Sequence, residues 1–244
     1  MKIGFTGVPP LKKIKELTAE YPKAKWFDLD VPTVGISKEF SVQYIPETTC
    51  SVIQTILANS FAIKPNILLA VTGSSKCDQM MFLLPIITRL LPELKIIETK
   101  NNDSENFGNP ISTSGLPLEE KIRLITEGVL NIEPNYSPLF EKPKAGFWGV
   151  PPYDFSILKL FPDQTHVFGW TRCMENKTPS NLQLELHVDN DLPTVFFCQS
   201  FCAKNILAKE LAHKHKGLYV EADGLIDNST KAKIRAFLEL KNCF

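Results

Sequence analysis

The chain has 244 residues, 43% of them hydrophobic, which is enough for one large or two small domains. Lys plus Arg and Asp plus Glu number 27 each, so net charge gives no argument for nucleic acid or an anionic membrane as partner. No apolar run reaches the roughly 18–20 residues of a membrane span. The opening Met1-Lys-Ile-Gly-Phe reads as a strand rather than a signal peptide. The expectation is a cytoplasmic protein, in which six cysteines read as metal, redox or packing residues rather than as a disulfide framework.

In chain order, residues 2–8 predict a strand that ends at Gly7-Val-Pro-Pro10, because two prolines stop both strand and helix interiors. Residues 11–20 predict a helix with Leu11, Ile14 and Leu17 on one face. Residues 25–29 predict a second strand, and 31–47 an irregular segment. Thr48-Thr-Cys50 opens a helix over 51–61, with Thr48 or Thr49 as its N-cap. The apolar run at 67–71 predicts a strand, followed by Thr72-Gly-Ser-Ser-Lys-Cys77 and a helix to Leu91. Residues 94–98 predict the next strand. A polar connection spans 99–115, and an amphipathic helix over 116–132 carries Ile122, Leu124, Ile125, Val129 and Leu130. Prolines then punctuate 133–144, which sets the domain boundary, with domains at 1–135 and 136–244.

At Gly146 the opening recurs. Gly4-Phe-Thr-Gly-Val-Pro-Pro10 matches Gly146-Phe-Trp-Gly-Val-Pro-Pro152 at six of seven positions. A helical segment (153–160) and a strand (166–169) follow, then Thr171-Arg-Cys173, a strand (194–197), Ser200-Phe-Cys202, a helix (203–213) and a strand (218–221). The offset between copies is 123 for Thr-x-Cys, 125 for Ser-x-Cys and 123 for the strand-ending Glu98 and Glu221. Such constancy predicts an internal duplication. The fold class is α/β, with two similar domains of parallel sheet flanked by helices and a cleft between them. Each copy places two cysteines at helix starts, where the dipole favours thiolate, the form that attacks or binds metal. The candidate ligands are therefore Cys50, Cys77, Cys173 and Cys202. Four cysteines suit a tetrahedral zinc or an iron–sulfur cluster. Their wide spacing favours a cluster held between domains, and buried or catalytic thiols are the other reading.

The segments Cys50-Ser-Val-Ile-Gln-Thr-Ile-Leu-Ala-Asn59, Ala70-Val-Thr-Gly-Ser-Ser-Lys-Cys-Asp78 and Leu91-Pro-Glu-Leu-Lys-Ile-Ile97 resemble the cluster-binding part of the 2-hydroxyacyl-CoA dehydratase/benzoyl-CoA reductase family. The turn at 149–152 and the tail at 228–239 are similar to its last domain. The resemblance implies a [4Fe–4S] cluster, alone or as half of a double cubane. Cys50 and Cys77 fall on the first two ligands and Cys202 on the third, and Cys173 is a candidate fourth. It also implies an ATP-dependent activator protein as electron donor, and reductase- or dehydratase-like chemistry or a role as an electron-transfer component. A homodimer is allowed. The chain is much shorter than typical members, so acyl-CoA chemistry is not carried over. The rivals are a non-redox protein that binds a small molecule in its cleft, and a zinc protein.

Other residues have two readings each. Cys198, four residues before Cys202, is an alternative ligand, and Cys243 reads as incidental at a frayed end. Arg172 either offsets thiolate charge or joins a surface ion pair. Glu98 and Glu221 read as acid/base groups or loop caps. His213 and His215 suit a helix C-terminus through the dipole, and Trp148 either covers the cleft or packs in the core.

Overall fold

The computed structural model describes residues 1–73, 76–103, 110–132, 140–178 and 181–244. The boundary residues 133–139, the stretch 104–109 of the polar connection and Ser75 of the Ser-x-Cys repeat lie outside these. The chain divides into two units, Met1–Asp103 and Ser104–Phe244. Each holds a four-stranded, all-parallel sheet of the same order, so the duplicated α/β architecture read from the repeat is the fold.

In the first unit the sequence runs β1 (Lys2–Thr6), α1 (Leu11–Glu20), β2 (Lys25–Asp28), α2 (Ser51–Ile63), β3 (Ile67–Thr72), α3 (Asp78–Leu90), β4 (Lys95–Lys100). The spatial order is β2-β1-β3-β4. Successive connections leave β1 in opposite directions, which places a topological switch point at the carboxyl ends of β1 and β3, where open sheets bind ligands. Every residue of β3 is buried, as a central parallel strand requires. The segment 31–47, absent from the second copy, has a structural task. Its 3₁₀ helix, Lys38–Gln43, lies on α2, and Phe40, Tyr44 and Phe61 form a ring cluster with centroids 5.1–5.4 Å apart. With that cover α2 is buried nearly all round, its polar Gln54, Thr55, Asn59 and Ser60 included. The N-cap of α2 is Cys50, not Thr48 or Thr49 as expected. Thr49 N–H instead closes a turn onto the Pro46 carbonyl at 2.9 Å.

The second unit runs α4 (Leu118–Glu127), β5 (Ala145–Gly149), β6 (Thr165–Phe168), α5 (Trp170–Glu175), α6 (Leu182–Leu186), β7 (Thr194–Cys198), α7 (Asn205–Lys214), β8 (Leu218–Glu221), α8 (Asn228–Leu240). Its order is β6-β5-β7-β8. Alternation along β7 builds two layers. Val195 and Phe197 join Phe147, Val167, Ile157, Ile234 and Leu238 on one face, and Phe196 and Cys198 join Trp148, Phe168, Ala208 and Leu211 on the other. The helix expected to end the first domain contributes Leu118 and Ile122 to the first of these layers. The helical segment after the second Gly-Val-Pro-Pro is a 3₁₀ helix, Phe155–Leu160, and the short α6 has no counterpart in the sequence reading. Cys243 is buried against Leu238 and Ile234, not frayed.

Lys121 of α4 is fully buried. Its ammonium donates to the Thr165 carbonyl at 2.6 Å and the Asp163 carbonyl at 3.1 Å, tying α4 to the start of β6. Burial lowers its pKa to about 8. Unfolded, the same group titrates near ~10.4. Between those values the unfolded chain binds more protons, so stability owed to Lys121 rises with pH. In denaturant unfolding, wild type minus Lys121→Met is expected to grow from about pH 8 to about pH 10, by at most about 1.4 kcal/mol per pH unit. A difference independent of pH would show that the ammonium keeps its ordinary pKa.

Candidate functional site

At the carboxyl end of the first sheet, polar groups gather from β1, from β2 and from the segment after β3. β1 ends at Gly7, held at φ +66°, whose N–H donates to Asp30 Oδ2 at 2.6 Å. Asp28 ends β2, and its Oδ1 accepts from the Asp30 N–H at 2.9 Å. Beyond β3, Lys76 lies over Gly7 and acts electrostatically on both carboxyls. Burial, and then the charge of Asp30, push Asp28 well above the usual carboxylate range. Burial likewise raises Asp30, against the opposing effects of Lys76 and the Gly7 N–H. Asp30 Oδ1 and the Thr6 hydroxyl are buried without a hydrogen-bond partner. The sequence signal for this cluster was an Asp-Leu-Asp at a strand end, which the sequence reading missed.

The two cysteines of this unit are helix N-caps. Cys50 caps α2 and Cys77 caps α3, and neither side chain occupies a capping hydrogen bond. They are linked through Gln79 of α3, whose Oε1 accepts from the Cys50 N–H at 3.1 Å. The Cys77 carbonyl accepts from Met80 N–H at 3.1 Å, so the thiol sits at the first turn of α3. Cys50 is buried and Cys77 exposed. Both cysteines stand at the positive end of a helix dipole, and soft sulfur ligands suit zinc or an iron–sulfur cluster.

In the second unit the cysteines are placed differently. The expectation of two helix-start thiols fails there. Cys173 is the fourth residue of α5, whose N-cap is Gly169, and it is fully buried. Its Sγ faces the Asn181 carbonyl at 3.9 Å, and burial pushes its pKa up to about 11, which favours thiol over thiolate. Cys202 is half-buried one turn before α7, its carbonyl accepting from Asn205 N–H at 2.9 Å. Cys198 ends β7 and is buried. All six cysteines stand as thiols. Among the described residues, no group of three or more His, Cys, Asp or Glu is arranged to hold a metal ion.

The remaining candidates have structural settings. Arg172 donates to the Ser112 hydroxyl at 3.0 Å and pairs with Glu175. Trp148 is core, its Nε1–H donating to the Glu185 carbonyl at 2.7 Å. Glu221 accepts from the Tyr219 hydroxyl at 2.8 Å, a bond that lowers the Glu221 pKa. His166 is buried with a ring nitrogen 2.8 Å from the Glu141 carbonyl. His215 is the C-cap of α7, stacks on Phe196 at 6.2 Å, and has its pKa lowered by burial. Lys177 is buried against the Gly128 carbonyl with its pKa lowered to about 8. No helix among the described residues is long and apolar enough to cross a membrane. No protein-family model matches the chain, and no curated protein matches it at a significant level.

Proposed function

We propose that the chain is an iron–sulfur protein in which Cys50 and Cys77 are ligands of a [4Fe–4S]-type cluster used for low-potential electron transfer or reductive chemistry. The observation that carries this reading is the Gln79 bridge. It brings together two helix N-termini, each headed by a cysteine whose thiol makes no cap. When bound, the cluster supplies one-electron transfer, and an iron left without a protein ligand would polarise a substrate oxygen. Two helix starts offset the charge of the thiolates, and the exposure of Cys77 leaves a route for electrons from a donor. An ATP-dependent activator protein, implied by the resemblance, is proposed as that donor. A reducing cytoplasmic setting is proposed with it, in keeping with six thiols. Cys202 is the next ligand in order of preference. Cys173 ranks last, because deprotonating it inside the core is costly.

The test is anaerobic purification, visible absorbance, and iron and acid-labile sulfide counted per chain. A brown protein with iron and sulfide in about equal amounts is expected. Cys50→Ala and Cys77→Ala should each lose most of the iron, while Cys173→Ala keeps it. If both of the first two variants retain full iron, or if the chain takes up neither iron nor sulfide after reconstitution, the proposal fails. Zinc without sulfide would favour the zinc reading instead.

A further inference from the structure

The central strand of the second sheet ends in a thiol that its counterpart in the first sheet lacks. Thr6 pairs with Ala70, and its counterpart Trp148 pairs with Phe196, so two residues on, Cys198 stands where Thr72 does. Four residues separate Thr72 from Cys77, and three separate Cys198 from Cys202. With the shorter connection the second cysteine takes a different place. Cys77 caps α3 and is exposed, whereas Cys202 lies three residues before α7 and is half-buried. It packs against the layer that holds Trp148, Phe196, Cys198 and Ala208. Cys198 belongs to that layer because alternation along β7 points Phe196 and Cys198 to the same side of the sheet.

The connection between the two cysteines is a closed turn. Cys202 N–H donates to the Gln199 carbonyl at 3.3 Å, and Phe201 is held at φ +57°, a conformation uncommon outside glycine. A turn of this kind keeps its first and last Cα atoms within about 7 Å. Cys202 is therefore returned to the end of β7, on the face to which Cys198 points. Disulfides join Cα atoms about 4.4–6.8 Å apart, a span that such a turn reaches. The other two thiols of this unit are placed elsewhere. Cys243 lies in the opposite layer, and Cys173 Sγ faces the Asn181 carbonyl. Access also differs within the pair. Cys198 is 1% exposed and Cys202 half-buried, so a reagent from solvent meets Cys202 first.

We propose that Cys198 and Cys202 form a reversible disulfide, with a hydroperoxide as the oxidant. Cys202 Sγ attacks the peroxide O–O bond, keeps one oxygen as a sulfenic acid and releases the other as water or an alcohol. Cys198 Sγ then attacks the Cys202 sulfur, the S–O bond breaks, and that oxygen leaves as water with the Cys198 thiol proton. Two thiols are oxidised and one hydroperoxide is reduced. Two molecules of a small thiol such as glutathione restore the pair by exchange and leave as their own disulfide. The pair uses neither Cys50 nor Cys77, so it stands whether or not those two hold a cluster.

The experiment treats the reduced full chain with hydrogen peroxide, blocks free thiols with N-ethylmaleimide under denaturing conditions and digests with trypsin for mass spectrometry. Residues 178–204 form one tryptic peptide that contains Cys198 and Cys202 and no other cysteine. This peptide is expected to be unlabelled and lighter by two hydrogens, and to take up two maleimides once reduced with dithiothreitol. Cys198→Ala removes the resolving thiol, so peroxide is expected to carry Cys202 on to the sulfinic acid. Cys202→Ser, a near-isosteric change at the more accessible position, should leave Cys198 reduced under the same treatment. A wild-type peptide that still takes two maleimides after peroxide overturns the proposal. So does oxidation of Cys198 in Cys202→Ser at the wild-type rate, or a disulfide that joins either thiol to a third cysteine.

Discussion

Lys204→Met is expected to lower the unfolding free energy by about 3–5 kcal/mol, the range for breaking a buried ion pair by removing one member. Glu185 of α6 is 3% exposed, and the Lys204 ammonium lies 2.6 Å from each of its oxygens. The same ammonium sits 5.1 Å from the Trp170 ring centroid, a second favourable contact that the methionine variant loses. With a methionine in its place, the buried Glu185 side chain loses this two-oxygen contact with an ammonium, which costs stability. The double variant Glu185→Leu/Lys204→Met is expected to recover most of the loss, because an apolar pair of similar volume removes the desolvation cost along with the attraction. Urea unfolding of the three proteins checks this. If the single and double variants fall by the same amount, the pair is not the source of the effect.

Gly149→Ala is the second substitution expected to be severe, at about 3 kcal/mol or more, against about 1–2 kcal/mol for Gly7→Ala. The two glycines occupy the same place in the repeated Gly-Val-Pro-Pro turn and both have positive φ, +150° and +66°. Their surroundings differ. A methyl at Gly149 would run into the Phe197 carbonyl oxygen, on the strand residue paired with it across β5–β7. Backbone in the middle of a sheet cannot move aside without breaking the ladder. A methyl at Gly7 meets the tip of Lys76, which can swing away. Equal midpoint losses in thermal unfolding would mean that backbone conformation alone, and not the close approach of β7, decides the cost.

The strands and their parallel order were legible because each is a short apolar run followed by turn residues, and the duplication doubled every signal. Residues 11–20 and 218–221 were read with the boundaries they have. Two kinds of error remained. Local composition does not say which sheet an amphipathic helix joins. α4 reads as a helix from its own periodicity, but only the packing of Leu118 and Ile122 beside Phe147 assigns it to the second unit. A lysine in sequence also reads as solvent-facing, so the burial of Lys121 and Lys177 on backbone carbonyls had no local signal. Among the thiols, the cysteine after β3 was placed correctly at a helix start. Cys173 was assigned by analogy to Cys50, and the analogy failed because α5 begins three residues earlier, at Trp170 after Gly169, and carries the side chain inward.

The shared strand order leaves four outer strands whose unpaired backbone groups could recruit a strand from another molecule. The two units defend them by different means. β2 begins with Lys25, and β4 has Lys95 and Lys100 at its two ends, so an incoming strand would meet positive charge at these edges. β6 carries no such charge and is buried along its whole length. Beside it lie the 3₁₀ helix Ile111–Thr113 and the strip at Phe140 and Glu141, where the Phe140 ring packs edge-on against His166 at 5.5 Å. The first sheet thus resists unwanted growth by repulsion at all times, including while it is only partly formed. At β6 the second resists it by a covering segment that comes from upstream of β5, and that edge is protected only once this cover has docked.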